Sequence, residues 1–200
     1  MWSDGTGDTS GFSHVVRLPK DIEPLERPFD EPLEHMAQRL YAAVPELEEC
    51  RVTGGDMPTF HLPGEHLVAA CKALRDDPDL RFEMCTSVSG VHFPDAKELH
   101  AVYHLLSLSY RRRLRLEVAC TEDNPHIPSV VSVYPMVNYH ERETWDMFGI
   151  VFDGHPSLTR ILMPDDWQGH PQRKDYQLGG IPVEFNGAEV RPVEERRTYR

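Results

Sequence analysis

Two hundred residues, 40% hydrophobic and 27% charged, suffice for one domain with tails or at most two small domains. A net charge of −12 excludes a nucleic-acid or anionic-membrane surface as the main partner, because both need a basic footprint. No apolar run approaches the roughly 20 residues of a membrane span, and the start MWSDGTGDTSGFS has neither a signal-peptide nor a transit-peptide pattern, which predicts a cytosolic chain.

Residues 1–29, rich in Gly, Ser, Asp and Pro, read as a flexible or extended N-terminal arm. Asp30 has the form of a helix N-cap, with Glu31 and Pro32 in the first turn. Leu33, Met36, Ala37, Leu40, Tyr41 and Val44 then recur at helical spacing until Pro45 stops the helix. A turn at Gly54-Gly55 separates two short strand candidates, 49–52 and 59–62. A second helix over 65–75 places Leu67, Ala70, Cys71 and Leu74 on one face.

Residues 80–88 form a third strand candidate. Beyond it, Val102, His104, Leu106 and Leu108 alternate with Tyr103, Leu105 and Ser107. Leu114, Leu116, Val118 and Cys120 likewise alternate with Arg113, Arg115, Glu117 and Ala119. The pattern predicts an antiparallel hairpin turning near 110–112, its second strand half wet and half buried. Its arginines at 111–113 and 115 suit a solvated sheet edge, where charge blocks unwanted pairing, better than nucleic acid.

Ser129 can cap a short helical turn, Pro135 suits the start of a third helix, and Gly149 its end. From Pro164 onward, four prolines and little periodicity predict an extended tail that wraps partner subunits. The expected fold is α+β, with helices on one face of a small mixed or antiparallel sheet. The domain spans 30–163, between the arm 1–29 and the tail 164–200.

The segment 140–180 packs charge, aromatic rings, glycine and proline more densely than an ordinary helix or loop requires. It reads first as a reaction site or a docking surface. Catalytic patterns fail in turn. His140-Glu141 lacks the second histidine of a zinc-protease helix, since position 144 is Thr. His155-Pro156 and His170-Pro171 read as turn-fixing histidines rather than metal ligands. A small metal-dependent hydrolase built from His155, His170 and Glu143 is the weaker alternative. Phosphate loops and nucleophile elbows are missing from the sequence. Cys50, Cys71, Cys85 and Cys120 contain no C-x-x-C pair, so no cluster is expected here.

Helical geometry places Val137, Glu141, Trp145 and Phe148 on one stripe, so a buried Glu141 needs a cationic or N–H partner. Arg160, Arg173 and Lys174 are candidates. Arg142 and Asp146, four apart, are positioned to pair on the flank. These charges predict an internal network pinning the following segment, with some facing a neighbouring protein.

Glu141-Arg142-Glu143, Asp146-Met147-Phe148-Gly149-Ile150, Gly154-His155-Pro156, Arg160-Ile161-Leu162 and Pro164-Asp165-Asp166-Trp167 resemble a family signature. Gly169-His170-Pro171 and Arg173-Lys174-Asp175-Tyr176 continue it. The family is the 30-kDa subunit, or C subunit, of proton-translocating NADH:quinone oxidoreductase, respiratory complex I. The resemblance is strong over 128–180, weaker over 30–127, and does not reach 1–29 or the last twenty residues. Gln172 and Gln177 stand where the family commonly has Leu and Pro. The resemblance implies a non-catalytic subunit of the peripheral arm at the cytoplasmic face of a bacterial cell membrane. Its partners would be the quinone-site large subunit, the terminal-cluster subunit and other peripheral-arm subunits, with membrane contact only through the complex. FMN and iron–sulfur clusters would reside in partner subunits. An equivalent subunit of a membrane-bound hydrogenase or another donor:quinone complex is the alternative.

Overall fold

The structure, a computed structural model, describes residues 23–176. The order is α1 (Glu31–Ala43), β1 (Val52–Thr53), β2 (Thr59–Leu62), α2 (Leu67–Asp76), β3 (Met84–Phe93), β4 (Glu98–Ser107), β5 (Arg112–Thr121), β6 (His126–Pro128), α3 (Val137–Phe148) and β7 (Val151–Asp153). Most of the arm and tail lie outside the described residues.

α1 begins where expected. The Asp30 carbonyl accepts the amides of Leu33 and Glu34, both at 2.9 Å, while its side chain makes no capping bond. Glu34 reaches back instead, accepting the Phe29 amide at 3.0 Å and Arg27 Nη2 at 2.8 Å. Residues 23–29, expected in the arm, therefore lie on the domain: Leu25 N–H donates to Val52 O at 2.8 Å and Pro24 bridges Thr53.

Five strands form one mixed sheet in the order β1-β2-β5-β4-β3. β3, β4 and β5 make an antiparallel meander, and β2 joins β5 in parallel. This corrects the placing of the arginine hairpin at an edge. β5 is interior, flanked by β2 and β4, and its arginines decorate the turn and the open face. Arg115, for example, donates from Nε to His104 Nε2 at 3.2 Å.

Two strand boundaries also move. Residues 45–47 form a 3-10 turn after Val44, and the first strand is confined to Val52–Thr53. Leu80 and Phe82 are fully buried but close α2, with Phe82 N–H bonded to Leu74 O; β3 starts at Met84 and runs on to Phe93. Burial without periodicity cannot distinguish such a turn from a strand.

Paired residues show which face is covered. Phe60, Leu116, Tyr103 and Val88 align across the sheet, and all are buried. Tyr41 of α1 meets Phe60 edge-on at 6.3 Å. The next row contains Val118, Ala101 and Gly90, and a Cβ on Gly90 would collide with the Phe148 ring of α3. α1 and α3 thus pack on one face, and Leu67, Ala70, Cys71 and Leu74 of α2 join the same buried cluster, as expected for this class; each fully buried Leu or Phe contributes roughly 1.5–3 kcal/mol. The other face is polar, with His100 Nδ1 2.5 Å from Glu117 Oε1 and His61 Nε2 3.1 Å from Thr53 Oγ1.

A second, two-stranded parallel sheet, β6 with β7, has no sequence signal long enough to reveal it. It joins the segments before and after α3 and so anchors both ends of the signature helix.

Candidate functional site

α3 is polar by composition yet buries two carboxylates completely, Glu141 and Asp146. It ends as expected at Gly149, which adopts the left-handed conformation at φ 84° and donates its N–H to Trp145 O at 2.8 Å. A side chain there is doubly excluded, because a Cβ would come within 2.7 Å of the His170 ring.

Glu141 faces the sheet. Its Oε1 accepts the Val130 amide at 2.8 Å and its Oε2 the Ser129 hydroxyl at 2.6 Å. Its partner is thus an N–H and a hydroxyl at the turn over 129–134, not one of the cations expected from the following segment. Burial raises the Glu141 carboxyl to about 7, against the pull of Ser129 and Val130. The Ser129 hydroxyl suits both states, donating to a carboxylate or accepting from the acid. Ser129 Oγ also accepts the Val131 amide at 3.3 Å, the capping bond anticipated there.

Asp146 faces away from the sheet and gathers the loop that follows β7. Its Oδ2 accepts three successive amides, from Ile161, Leu162 and Met163, at 3.1, 2.8 and 2.9 Å. Its Oδ1 accepts Arg160 Nη1 at 2.5 Å. Burial alone would raise this carboxyl; the three amides and the guanidinium overcome it and hold the group at about 2. Arg160 continues the network, donating from Nη2 to Trp167 O at 2.8 Å and Gly169 O at 3.2 Å, with its guanidinium 5.5 Å from the Trp145 ring centre. Trp167 N–H donates back to Pro164 O at 3.0 Å.

The expected Arg142–Asp146 pair does not form. Arg142 lies on the flank and donates to the carbonyls of Thr159 and Arg160, at 3.1 and 3.0 Å. Asp146 is turned inward, where Arg160 reaches it across the loop. Helix spacing makes the pair possible; a better partner from outside the helix displaces it.

The two histidines hold turns. His155 donates from Nε2 to Asn138 O at 3.2 Å and accepts the Ser157 amide at Nδ1. His170 donates from Nδ1 to Asp146 O at 3.0 Å and meets Trp145 edge-on. A proline follows each, Pro156 and Pro171. Glu143 is exposed on α3. These three side chains, His155, His170 and Glu143, are not brought together, and among the described residues no group of three or more His, Cys, Asp or Glu could hold a metal ion. Cys71 and Cys85 are buried free thiols; burial pushes Cys85 up to about 12 and Cys71 higher still.

Residues 164–176, expected as the start of the tail, are turns laid against α3 and β3. Gln172 N–H donates to Met147 O at 3.0 Å. Further along, Lys174 N–H donates to Nδ1 of the buried His92 at 2.8 Å. His92 therefore carries its proton on Nε2 and donates it to Glu122. Arg173 lies 3.8 Å from Glu122 and forks onto Asp175 at 3.0 and 2.9 Å. His92 and Glu122 escape a reading of the sequence. They lie in ordinary strand and turn context, with 82 residues separating His92 from its partner.

Residues 60–182 match the family described as respiratory-chain NADH dehydrogenase, 30 Kd subunit. The C subunit of NADH-quinone oxidoreductase from Saccharopolyspora erythraea is 57% identical, over 98% of this chain and 82% of that protein. Its counterpart in Streptomyces coelicolor is 54% identical over 96% and 80%. Similarity thus extends well beyond 128–180. A chain of the membrane-bound sulfane sulfur reductase, an archaeal respiratory membrane complex, shares the fold with a TM-score of 0.64 at 22% identity, over 74% of this chain and 87% of that one. The signature residues that form the Asp146 network lie inside the matched region, and the chain belongs to the 30-kDa subunit family of respiratory-chain NADH dehydrogenase.

Proposed function

We propose that this chain is a non-catalytic peripheral-arm subunit of an NADH:quinone oxidoreductase, at the cytoplasmic face of the membrane. In that complex electrons pass from NADH through FMN and iron–sulfur clusters to quinone, coupled to proton translocation. The chain supports the proteins that form the quinone site, contacting the quinone-site large subunit and the terminal-cluster subunit. The cofactors belong to those and other partners. Among the described residues no helix is long and apolar enough to cross a membrane, so the proposed membrane contact runs through the complex.

One observation carries the proposal. The charged signature residues Asp146 and Arg160 bind each other and backbone groups, leaving neither open to a substrate. Three amides on one carboxylate oxygen immobilise the loop backbone, while Ile161 and Leu162 remain 38% and 59% exposed. A rigid loop that displays apolar side chains suits docking rather than turnover.

The test is purification of the chain alone and from its native membranes in mild detergent. We expect the isolated chain to be colourless, metal-free and inactive in NADH oxidation. From membranes it should co-purify with the quinone-site and cluster-bearing subunits. A stoichiometric visible chromophore, or NADH oxidation by the isolated chain, overturns the proposal.

A further inference from the structure

The sheet's two edges differ. At β1, Pro24 and Leu25 cover the outer strand. At the other end, β3 pairs with β4 alone and has no backbone partner on its outer side among the described residues. Long edges of this kind are usually guarded by charge, proline or brevity, because their open N–H and C=O groups recruit other strands. β3 is ten residues long, MCTSVSGVHF, with no Lys, Arg, Asp, Glu or Pro. Its one irregularity lies between Cys85 and Ser87, which leaves the remainder regular.

Beside this edge lies a cleft of about 230 Å³ between residues 88–90 and α3, lined by Glu143, Thr144, Met147 and Leu162. It has room for a few side chains, less than a cofactor site requires. One wall is an edge whose outer backbone groups have no backbone partner among the described residues. The other is a helix and a loop immobilised by Asp146, with the Glu143 carboxylate exposed.

We infer that β3 is an acceptor edge for an extended segment of a partner protein in the complex. That segment pairs with β3, places alternate apolar side chains in the cleft and sets a Lys or Arg beside Glu143. The inference rests on the proposed role as an assembly subunit. A second copy of this chain fits poorly, because each copy carries a net charge of −12 and symmetric pairing would bring Glu143 toward its own equivalent.

Hydrogen exchange of the full-length chain, alone and within the purified complex, tests this. Alternate amides over 88–93 should exchange fast in the isolated chain and slow by roughly tenfold or more in the complex. Glu143→Lys should lower recovery of the chain in the complex while leaving the thermal midpoint of the isolated chain unchanged. Equally fast exchange in the complex overturns the inference and leaves the assembly role standing. Protection already present in the isolated chain also overturns it: concentration dependence would indicate a second copy, and independence this chain's own remaining residues. Failure to recover the chain with any partner removes both proposals.

Discussion

Glu141 and Asp146 occupy the same helix, and both are fully buried, yet the protein treats them in opposite ways. Glu141 faces the sheet, where one amide and one hydroxyl are too little to offset desolvation, and its carboxyl rises to about 7. Asp146 faces the loop, where three amides and a guanidinium converge, and its carboxyl falls to about 2. The difference shows that burial alone does not set a carboxylate's charge; the number and kind of donors decide whether desolvation prevails. The N-terminal half of α3 holds the helix to the core with a group that tolerates neutrality. The C-terminal half organises a loop around a group that must stay charged.

The largest test is Asp146→Ala. It strands Arg160 and three amides in a buried site and should cost about 3–5 kcal/mol. Denaturant unfolding measures this, and a loss below about 1 kcal/mol would mean that the loop finds other partners readily. Glu141→Ala removes acceptors for only Ser129 and Val130 and should cost less, about 1–3 kcal/mol. A cost equal to that of Asp146→Ala would erase the contrast. Beyond both sites, at the end of α3, Gly149→Ala forces a left-handed residue against the His170 ring and should cost roughly 1–3 kcal/mol, read as a lower thermal midpoint.

The smallest effect is expected from Glu141→Gln, under about 1 kcal/mol, because the amide resembles the protonated acid. This variant tests the pH dependence. The folded value for Glu141, about 7, lies above the ordinary 4.5, so its contribution to stability is complete below 4.5 and is lost as pH rises through about 7. Asp146 runs the other way, its contribution complete above 3.8 and lost as pH falls through about 2. Thermal unfolding between pH 4.5 and 7 should show a flatter profile for Glu141→Gln than for the native protein. Identical slopes would mean that Glu141 titrates alike in the folded and unfolded states.

Much of this is legible in the chain. The spacing of Leu33, Met36, Ala37 and Leu40 locates α1, and alternation locates β4 and β5, because those elements have one wet face and one dry face. β3 is hard to place because Gly90 and His92 interrupt its apolar pattern; each serves a distant contact, Phe148 for one and Lys174 for the other. Parallel pairing of β2 with β5 leaves no local mark, so charge alone points the arginine hairpin to an edge it does not occupy. At the site, the buried Glu141 is legible from its stripe, but its partner is not. Ser129 lies in a turn whose position depends on β6 and β7.

Sequence alone determined the class of fold, three helices and most strands, the end of α3 at Gly149 and the family. These follow from local periodicity, from a residue that alone accepts a left-handed backbone, and from an ordered signature. Only the tertiary structure decided who pairs with whom. Arg160 rather than Arg142 took Asp146, Ser129 and Val130 rather than a cation took Glu141, and β3 rather than β5 became the edge. Such choices compare partners brought together by the whole chain, and neither spacing nor composition carries the distances on which that comparison depends.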